Sequence, residues 1–255
     1  PHVRSDKPDR VRSMFASIAG AYDLNNRLHS FGLDQRWRRA LVAACDVQPT
    51  DEVLDVACGT GDLTECFARA RPASVTGVDF TPPMLDVARV KADRRRPRRR
   101  SGEPQPTYAV GDATALEFPD ASFDIVSIAF GIRNVGDPAR AFAEFRRVLR
   151  PGGRLAVLEF ATPRNPFVRF GHDLWTRRIM PWTASLIAGD RSGAYHYLPR
   201  SVATFLDPDA LADAMRHAGF AAPRRRPLTF GTCVAHVAEV AEVAEDAASA
   251  PQPTP

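Results

Sequence analysis

Lysine is almost missing from this 255-residue chain: Lys7 and Lys91 are the only lysines among 34 basic residues, the rest being arginine. Against 30 acidic residues the formal charge is only +4. GC-rich coding alone is enough to give an arginine-, alanine- and proline-rich composition, so the composition does not by itself call for a polyanionic partner. Cysteine is scarce as well. Cys45, Cys58, Cys66 and Cys233 form no C-x-x-C pair and have no histidine at metal-ligand spacing. That argues against a disulfide framework or a metal site and fits a reducing cytoplasm. Long apolar runs are absent too. The longest uncharged stretch, PLTFGTCVAHVA, falls well short of the roughly 20 residues needed to span a bilayer, and the first residues show no signal-peptide pattern. A membrane would be met only from its surface. With 44% hydrophobic and 25% charged residues, the chain can bury a sizeable core.

The apolar periodicity divides the chain. Val11, Met14, Phe15 and Ile18 recur at helical spacing, and a second helix is expected around Trp37 to Ala44 with Asp34 as its N-cap, so residues 1–45 read as an N-terminal helical cap. Residues 46–240 read as the main domain. VLDVA, SVTGVDF, TYAVGDA, FDIVSIAF and GRLAVLEF are strands, separated by helical segments such as TPPMLDVARVKA, with Thr81 as cap and Pro82 in its first turn, and DPARAFAEFRRVL. Two further strand-like runs follow a helix capped by Asp207 and Pro208 and ending at Gly219. The expected fold is α/β and Rossmann-like, a mostly parallel seven-stranded sheet with helices on both faces. RRRPRRRSGEPQP, residues 94–106, interrupts the alternation and reads as an exposed loop. Residues 165–206 read as an aromatic insertion on the substrate side, and residues 241–255 as a disordered tail.

VLDVACGTGD carries the first functional signal. A strand running into a glycine turn and a helix aims backbone N–H groups at a ligand, and Asp79 ends the next strand 20 residues after Gly59, where it can accept from ribose hydroxyls. NAD sites share both features, but their G-x-G-x-x-G spacing is not met, since Leu63 and Thr64 stand where the last glycine belongs. Asp62 at the turn would repel a pyrophosphate and tolerate a zwitterionic amino acid, and Asp55 offers an acceptor for an ammonium. Asp112, ending the third strand, suits an adenine amino group, with Ala113 against the ring. RPGG before the fifth strand is a tight turn suited to the same architecture. Together these features resemble the motif series of class I S-adenosylmethionine methyltransferases.

MFASIAGAYDLNNRLHSFGLDQRWRR, DVACGTGDLT, FDIVSIAFGIRNVGDPARAFAEFRRVLRPGGRLAVLEF and YHYLPRSVATF narrow the likeness. They resemble the demethylmenaquinone and ubiquinone-precursor C-methyltransferases, the UbiE/MenG type, over about residues 12 to 235. The resemblance implies methylation of a polyprenylated quinol ring carbon with S-adenosylmethionine, leaving S-adenosylhomocysteine and needing no metal. The favoured reaction is demethylmenaquinol to menaquinol, in menaquinone biosynthesis, with a ubiquinone-precursor benzoquinol as the alternative. It places cofactor contacts at Thr60, Asp79, Asp112 and Ala113. Asp55, Gly59, Gly61 and Phe80 join them through the strand ends and the turn. Ala129 stands where the family often has a serine, which puts that contact in doubt.

The chemistry this implies needs a phenolate, since a ring carbon becomes nucleophilic only when a ring hydroxyl loses its proton, and a free phenol has a pKa near 10. Arg133 and Asn134 follow the fourth strand, and Arg133 is expected to stabilise the phenolate; its own pKa above about 12 makes it a poor base. Tyr195 is a further catalytic candidate, and Tyr22, Phe130, Tyr195 and His196 are expected at the substrate. Phe167, Phe170, Leu174, Trp175 and Ile179, set among Arg169, Arg177 and Arg178, either roof the site, form a homodimer contact or insert shallowly into an anionic membrane at its inner face. Four other readings stand beside this one. They are a methyltransferase for another phenol or sterol-like lipid, a protein binding nucleic acid or anionic lipid through the arginine-rich loop, an NAD oxidoreductase, and an inactive cofactor-binding regulator. No nucleic-acid partner is expected, because acids lining a cleft disfavour phosphate.

Overall fold

The structure, a computed structural model, describes residues 7–179, 201–202 and 204–241. Short β-branched and apolar runs form the strands: Glu52–Val56 (β1), Ser74–Asp79 (β2), Thr107–Val110 (β3), Phe123–Ala129 (β4), Leu149–Phe160 (β5), Arg224–Leu228 (β6) and Cys233–Glu239 (β7). They make a seven-stranded sheet of order β3-β2-β1-β4-β5-β7-β6. The first five strands are parallel, and β7 runs antiparallel to both β5 and β6. The expected mostly parallel sheet is present, with a final antiparallel hairpin that residues 224–239 can form because a short turn joins the two strands. The chain leaves β1 outward through β2 and β3 and then returns to β4 on the other side. The carboxyl ends of β1 and β4 therefore flank a crevice, the usual ligand position in such sheets.

Side chains alternate between two cores. Val53, Ile125 and Leu158 pack under Trp37 and Leu41 of α3 (Leu33–Ala44) and Leu63 and Phe67 of α4 (Asp62–Ala70). Leu54, Val126 and Val157 face α6 (Pro138–Val148) and α8 (Pro208–His217), which contribute Phe142, Phe145, Leu211 and Met215. Asp137 and Asp207 cap these two helices through side-chain bonds to their first-turn amides. Helices α1 (Lys7–Ile18) and α2 (Tyr22–His29) lie beside α5 (Pro82–Arg95), where Ile18, Ala19 and Met84 form a third cluster with Phe15 and Tyr22 at its edge. A seventh helix, α7 (Pro166–Leu174), runs into a π-helical turn at Trp175–Ile179.

Three local expectations are corrected. The cap position of α3 is Gly32, in the left-handed conformation (φ +72°), and Asp34 instead lies buried in the first turn, bonded to Arg38. Thr81 does precede α5 with Pro82 behind it but makes no side-chain cap bond. The arginine-rich segment is not a free loop. Helix α5 runs to Arg95 and a 3-10 turn covers Arg96–Arg98, because Arg95 reaches Glu65 and Glu103 (3.1 and 2.8 Å) and Arg99 reaches Glu65 (2.7 Å). The tail beyond residue 241 lies outside the described residues.

Asp55 knots the centre of this frame. It is buried in β1 and accepts from the hydroxyls of Thr64 on α4 (2.6 Å) and Ser127 on β4 (2.9 Å). Burial disfavours its charge more than those two bonds favour it, so its pKa is pushed up to about 6. The folded state then keeps a proton that the unfolded chain has lost. The group's contribution to stability is full below the ordinary value of 3.8 and is lost as pH rises to about 6. The stability of wild type relative to Asp55→Asn should therefore fall by roughly 3 kcal/mol between pH 3.5 and 7, measured by urea unfolding at both pH values. A difference that stays constant with pH would mean that Asp55 titrates like an exposed acid.

Candidate active site

The glycine turn after β1 is built by backbone strain that few residues accept. Ala57, Gly59 and Gly61 all have positive φ (+51°, +56° and +80°), and a Cβ on Gly61 would come within 2.6 Å of the Tyr108 hydroxyl. Asp79 holds the turn from the end of β2. One carboxylate oxygen accepts the Gly59 N–H and the other the Thr81 N–H, each at 2.8 Å. Burial pushes its pKa up and the two amides oppose that shift. Asp112 accepts from both the N–H and the hydroxyl of Thr114 at 2.8 Å.

These elements surround a cavity of about 310 Å³ at the carboxyl ends of β1, β2 and β4. Of the residues expected at the cofactor, Gly59, Asp79, Phe80, Asp112, Ala113 and Ala129 line it, with Phe15 and Tyr22 closing it from the N-terminal helices. Its charged lining is Asp79, Asp112, Asp137 and Arg140. Three carboxylates suit a ribose and a cationic sulfonium, and they oppose a pyrophosphate. S-adenosylmethionine therefore fits the residues present.

Asp55, Thr60 and Gly61 are not part of that lining. Both oxygens of Asp55 are taken by Thr64 and Ser127. Gly61 packs toward Tyr108. Thr60 donates its hydroxyl to Asp23 of α2 at 2.5 Å. Lys91 joins the same cluster, bonding Asp23 and Asp62 at 2.5 Å each, and Asp62 also accepts from Gln35 (2.8 Å) and Arg27 (3.2 Å). Burial opposes the charge of Asp62, but Lys91, then Arg38 and Arg27, outweigh it and hold the carboxyl below its ordinary range. Asp62 therefore stands at the turn with a cation, Lys91, beside it.

A second cavity, about 270 Å³ and mostly apolar, lies alongside. Tyr22 and Phe130 line both cavities. Phe130 follows β4 with a positive φ of +59°, a conformation costing about 1–3 kcal/mol in a non-glycine residue, and this turn carries its ring into the partition. Its N–H donates to the Leu158 carbonyl at 2.8 Å, and its own carbonyl accepts from Arg133 (2.6 Å) and Asn134 (3.4 Å). The ring packs on Phe160 (4.5 Å between centroids) and on Trp37. Gly131 is needed next, since a Cβ there would meet the Ala57 Cβ at 2.8 Å.

Asn134 lines the first cavity and Arg133 the second, so both stand after β4 as expected. Arg133 carries its charge as one half of an ion pair. Its guanidinium is buried, bonded to Glu159 (2.6 Å) and to Ser201 (3.2 Å), because a charge so far from water needs a counter-ion. Tyr195 and His196 lie outside the described residues. The sequence reading missed Asp23, Arg38 and Lys91; the rarity of lysine was the one signal for Lys91.

Two variants separate these roles. Asp79→Asn should weaken S-adenosylmethionine binding about 10- to 100-fold, the cost of about 1.5–3 kcal/mol for losing charged hydrogen bonds, measured by calorimetry. Arg133→Ala should lower folding stability by about 3–5 kcal/mol, because it strands Glu159. A thermal unfolding profile identical to wild type would show that the Arg133–Glu159 pair supports nothing.

Residues 3–239 match the ubiE/COQ5 methyltransferase family. The chain is 45% identical over 229 residues to a demethylmenaquinone methyltransferase of Deinococcus radiodurans, covering 89% of this chain and 91% of that one. It is 46% identical to a demethylmenaquinone methyltransferase of Thermus thermophilus, covering 88% and 98%. It is 41% identical to a ubiquinone/menaquinone biosynthesis C-methyltransferase UbiE of Geobacter sp., covering 92% and 98%. Among solved structures, a Haloferax volcanii methyltransferase in complex with the Trm112 activator superposes with a TM-score of 0.61 at 19% identity, over 89% of this chain and 97% of that one. A SAM-dependent methyltransferase of Aquifex aeolicus gives 0.57 at 15% identity, over 80% and 89%. At those identities the two structures establish the fold alone.

Proposed function

The chain belongs to the ubiE/COQ5 methyltransferase family, and from that we propose that it methylates a ring carbon of a polyprenylated quinol, converting demethylmenaquinol to menaquinol. The observation that carries this reading is the pair of adjoining cavities, one edged with carboxylates and one apolar, with Tyr22 and Phe130 in the wall between them. A flat, bicyclic, apolar ring suits the second cavity, where Trp37, Phe160 and Trp175 stand around it. The relatives named for demethylmenaquinone methylation support the naphthoquinol. The relative named for both quinones supports a ubiquinone-precursor benzoquinol as a second substrate.

S-adenosylmethionine supplies an electrophilic methyl group on a positively charged sulfur. Asp79, Asp112, Gly59 and Ala113 hold it from the strand ends. Phe130 and Tyr22 fix where the two cavities meet and keep water from the transfer point, so alignment and exclusion of solvent carry much of the rate. Arg133 acts mainly by holding the Phe130 carbonyl, with Glu159 holding Arg133.

The rim of the second cavity supports contact with a membrane surface. Phe31 is 72% exposed, and Phe167 and Phe170 on α7 are 85% and 74% exposed. Trp175 stacks on Phe31 at 4.8 Å and joins that helix to the rim, with Arg169 and Arg178 exposed beside it. No helix among the described residues is long and apolar enough to cross a membrane. A shallow apolar patch with basic neighbours suits an anionic lipid surface, from which a prenylated substrate can be drawn.

Two experiments test this reading. Purified protein given methyl-labelled S-adenosylmethionine and chemically reduced demethylmenaquinone in detergent should place label in menaquinol. Intact cofactor binding without label in the organic phase would overturn the quinol assignment. Protein mixed with anionic liposomes should float with them, and Phe167→Ser/Phe170→Ser should not. Flotation that is equal for both, or absent in the wild type, would return the patch to a roof or a self-association contact.

A further inference from the structure

Arg38 is a buried cation that the reading so far leaves unused. It lies on α3, one turn after Asp34, and lines the second cavity. Its hydrogen bond among the described residues is one from Nη1 to Asp34 at 2.7 Å, although a guanidinium carries five donors. Its centre lies 5.3 Å from the ring centroid of Phe130 in the wall between the cavities. Arg133 stands in the corresponding place over Phe160, at 5.4 Å. The Phe130 and Phe160 rings are themselves 4.5 Å apart. Two guanidiniums therefore sit over a stacked aromatic pair at the point where the second cavity meets the first.

Resting on the quinol reading above, we propose that Arg38 is a phenolate-stabilising residue of this site. With Arg133 it gives the inner end of the second cavity a positive potential that favours ionisation of the substrate's ring hydroxyl. The hydroxyl proton leaves to solvent, the charge stays on the ring oxygen, and the ring carbon beside it becomes the nucleophile. Arg38 neither takes the proton nor forms a bond to carbon.

The protein carries its own phenol at this place. Tyr22 lines both cavities, and burial raises its pKa on balance; Asn26, Arg38 and Arg133, in that order, oppose the rise, and Asp23 adds to it least. The guanidiniums of the two ion pairs lie against Phe130 and Phe160, with Asp34 also lining the second cavity and Glu159 behind Arg133. Both are fixed in place before any substrate arrives, which makes charge stabilisation effective in a water-poor cavity.

Other titratable groups stand around the same cavity. Tyr22 and His29 of α2, Asp34 of α3, and His172 and Asp173 of α7 line the cavity, with Glu159 of β5 behind Arg133. Around Arg38 itself, Asp55 of β1, Asp62 and Cys66 of α4 and Cys233 of β7 lie within reach of its charge. A pH–rate profile alone would mix their ionisations with that of the substrate, so the test needs a probe that reports its own ionisation.

The probe is 4-nitrophenol, whose bound pKa is read from its visible absorbance, with wild type, Arg38→Gln and Arg38→Lys compared in parallel. Bound to wild type, its pKa should lie about one unit below that found with Arg38→Gln, a tenfold difference in ionisation, and Arg38→Lys should restore most of the difference. In anaerobic turnover of reduced demethylmenaquinone, kcat of Arg38→Gln should be about tenfold lower near pH 7 and approach wild type as pH rises, with S-adenosylmethionine affinity unchanged. The same probe pKa in all three proteins overturns the proposal, as does a loss of kcat that is parallel at every pH. Absence of turnover in wild type overturns the quinol reading instead, and the probe titration still decides whether Arg38 stabilises a phenolate.

Discussion

The carbonyl of Phe130 is held by a buried guanidinium, and much of the site depends on that contact. Phe130 occupies a backbone conformation that an aromatic residue avoids, so its position persists only because several neighbours fix it at once. Arg133 bonds the carbonyl, Glu159 bonds Arg133, and the sheet receives the amide through Leu158. The ring that this geometry projects is the wall between a cavity edged with acids and a cavity lined with aromatics. A charge pair in the interior contributes little to stability for its own sake; here it sets the direction of a strained turn.

A second set of charges works at the other side of the cofactor cavity. Lys91 of α5 bonds Asp23 of α2 and Asp62 of α4, and Asp23 also receives the hydroxyl of Thr60 from the glycine turn. Three helices from separate parts of the chain therefore meet over the turn that begins the site. Tyr22, on the same helix as Asp23, and Phe15 of α1 line the cavity beside it. Part of the turn's chemistry is consequently directed at the protein. Thr60 serves the N-terminal helices, and Asp55 serves the sheet through Ser127 and α4 through Thr64.

Much of the fold was legible because it follows from periodicity. Apolar runs such as VLDVA and FDIVSIAF, each followed by a turn and a helix with apolar spacing, leave a parallel sheet with covered faces as the economical arrangement. Helix α2 was not legible. Its sequence, YDLNNRLH, buries Asn25 and exposes Leu24 and Leu28, the reverse of an amphipathic pattern. The arginine-rich segment is largely exposed, as its composition indicates, but its two anchors were not legible. Composition marks it as solvated, yet Glu65 and Glu103, distant or unremarkable in the sequence, tie down Arg95 and Arg99.

The sheet, the acids at successive strand ends, the glycine turn and the family were readable along the chain, because each is a local pattern or a motif of consecutive residues. The packing of distant elements sets which of those residues line the first cavity. Asp79 and Asp112 open into the cavity, while Asp55 and Thr60 are taken by partners on other elements. It also set Arg133 against Glu159, brought Arg38 beside it over the Phe130–Phe160 pair, and placed Phe130 between the two cavities. The reason is physical: what a charge does depends on its burial and its nearest counter-charge, and neither is a property of neighbouring positions in the chain.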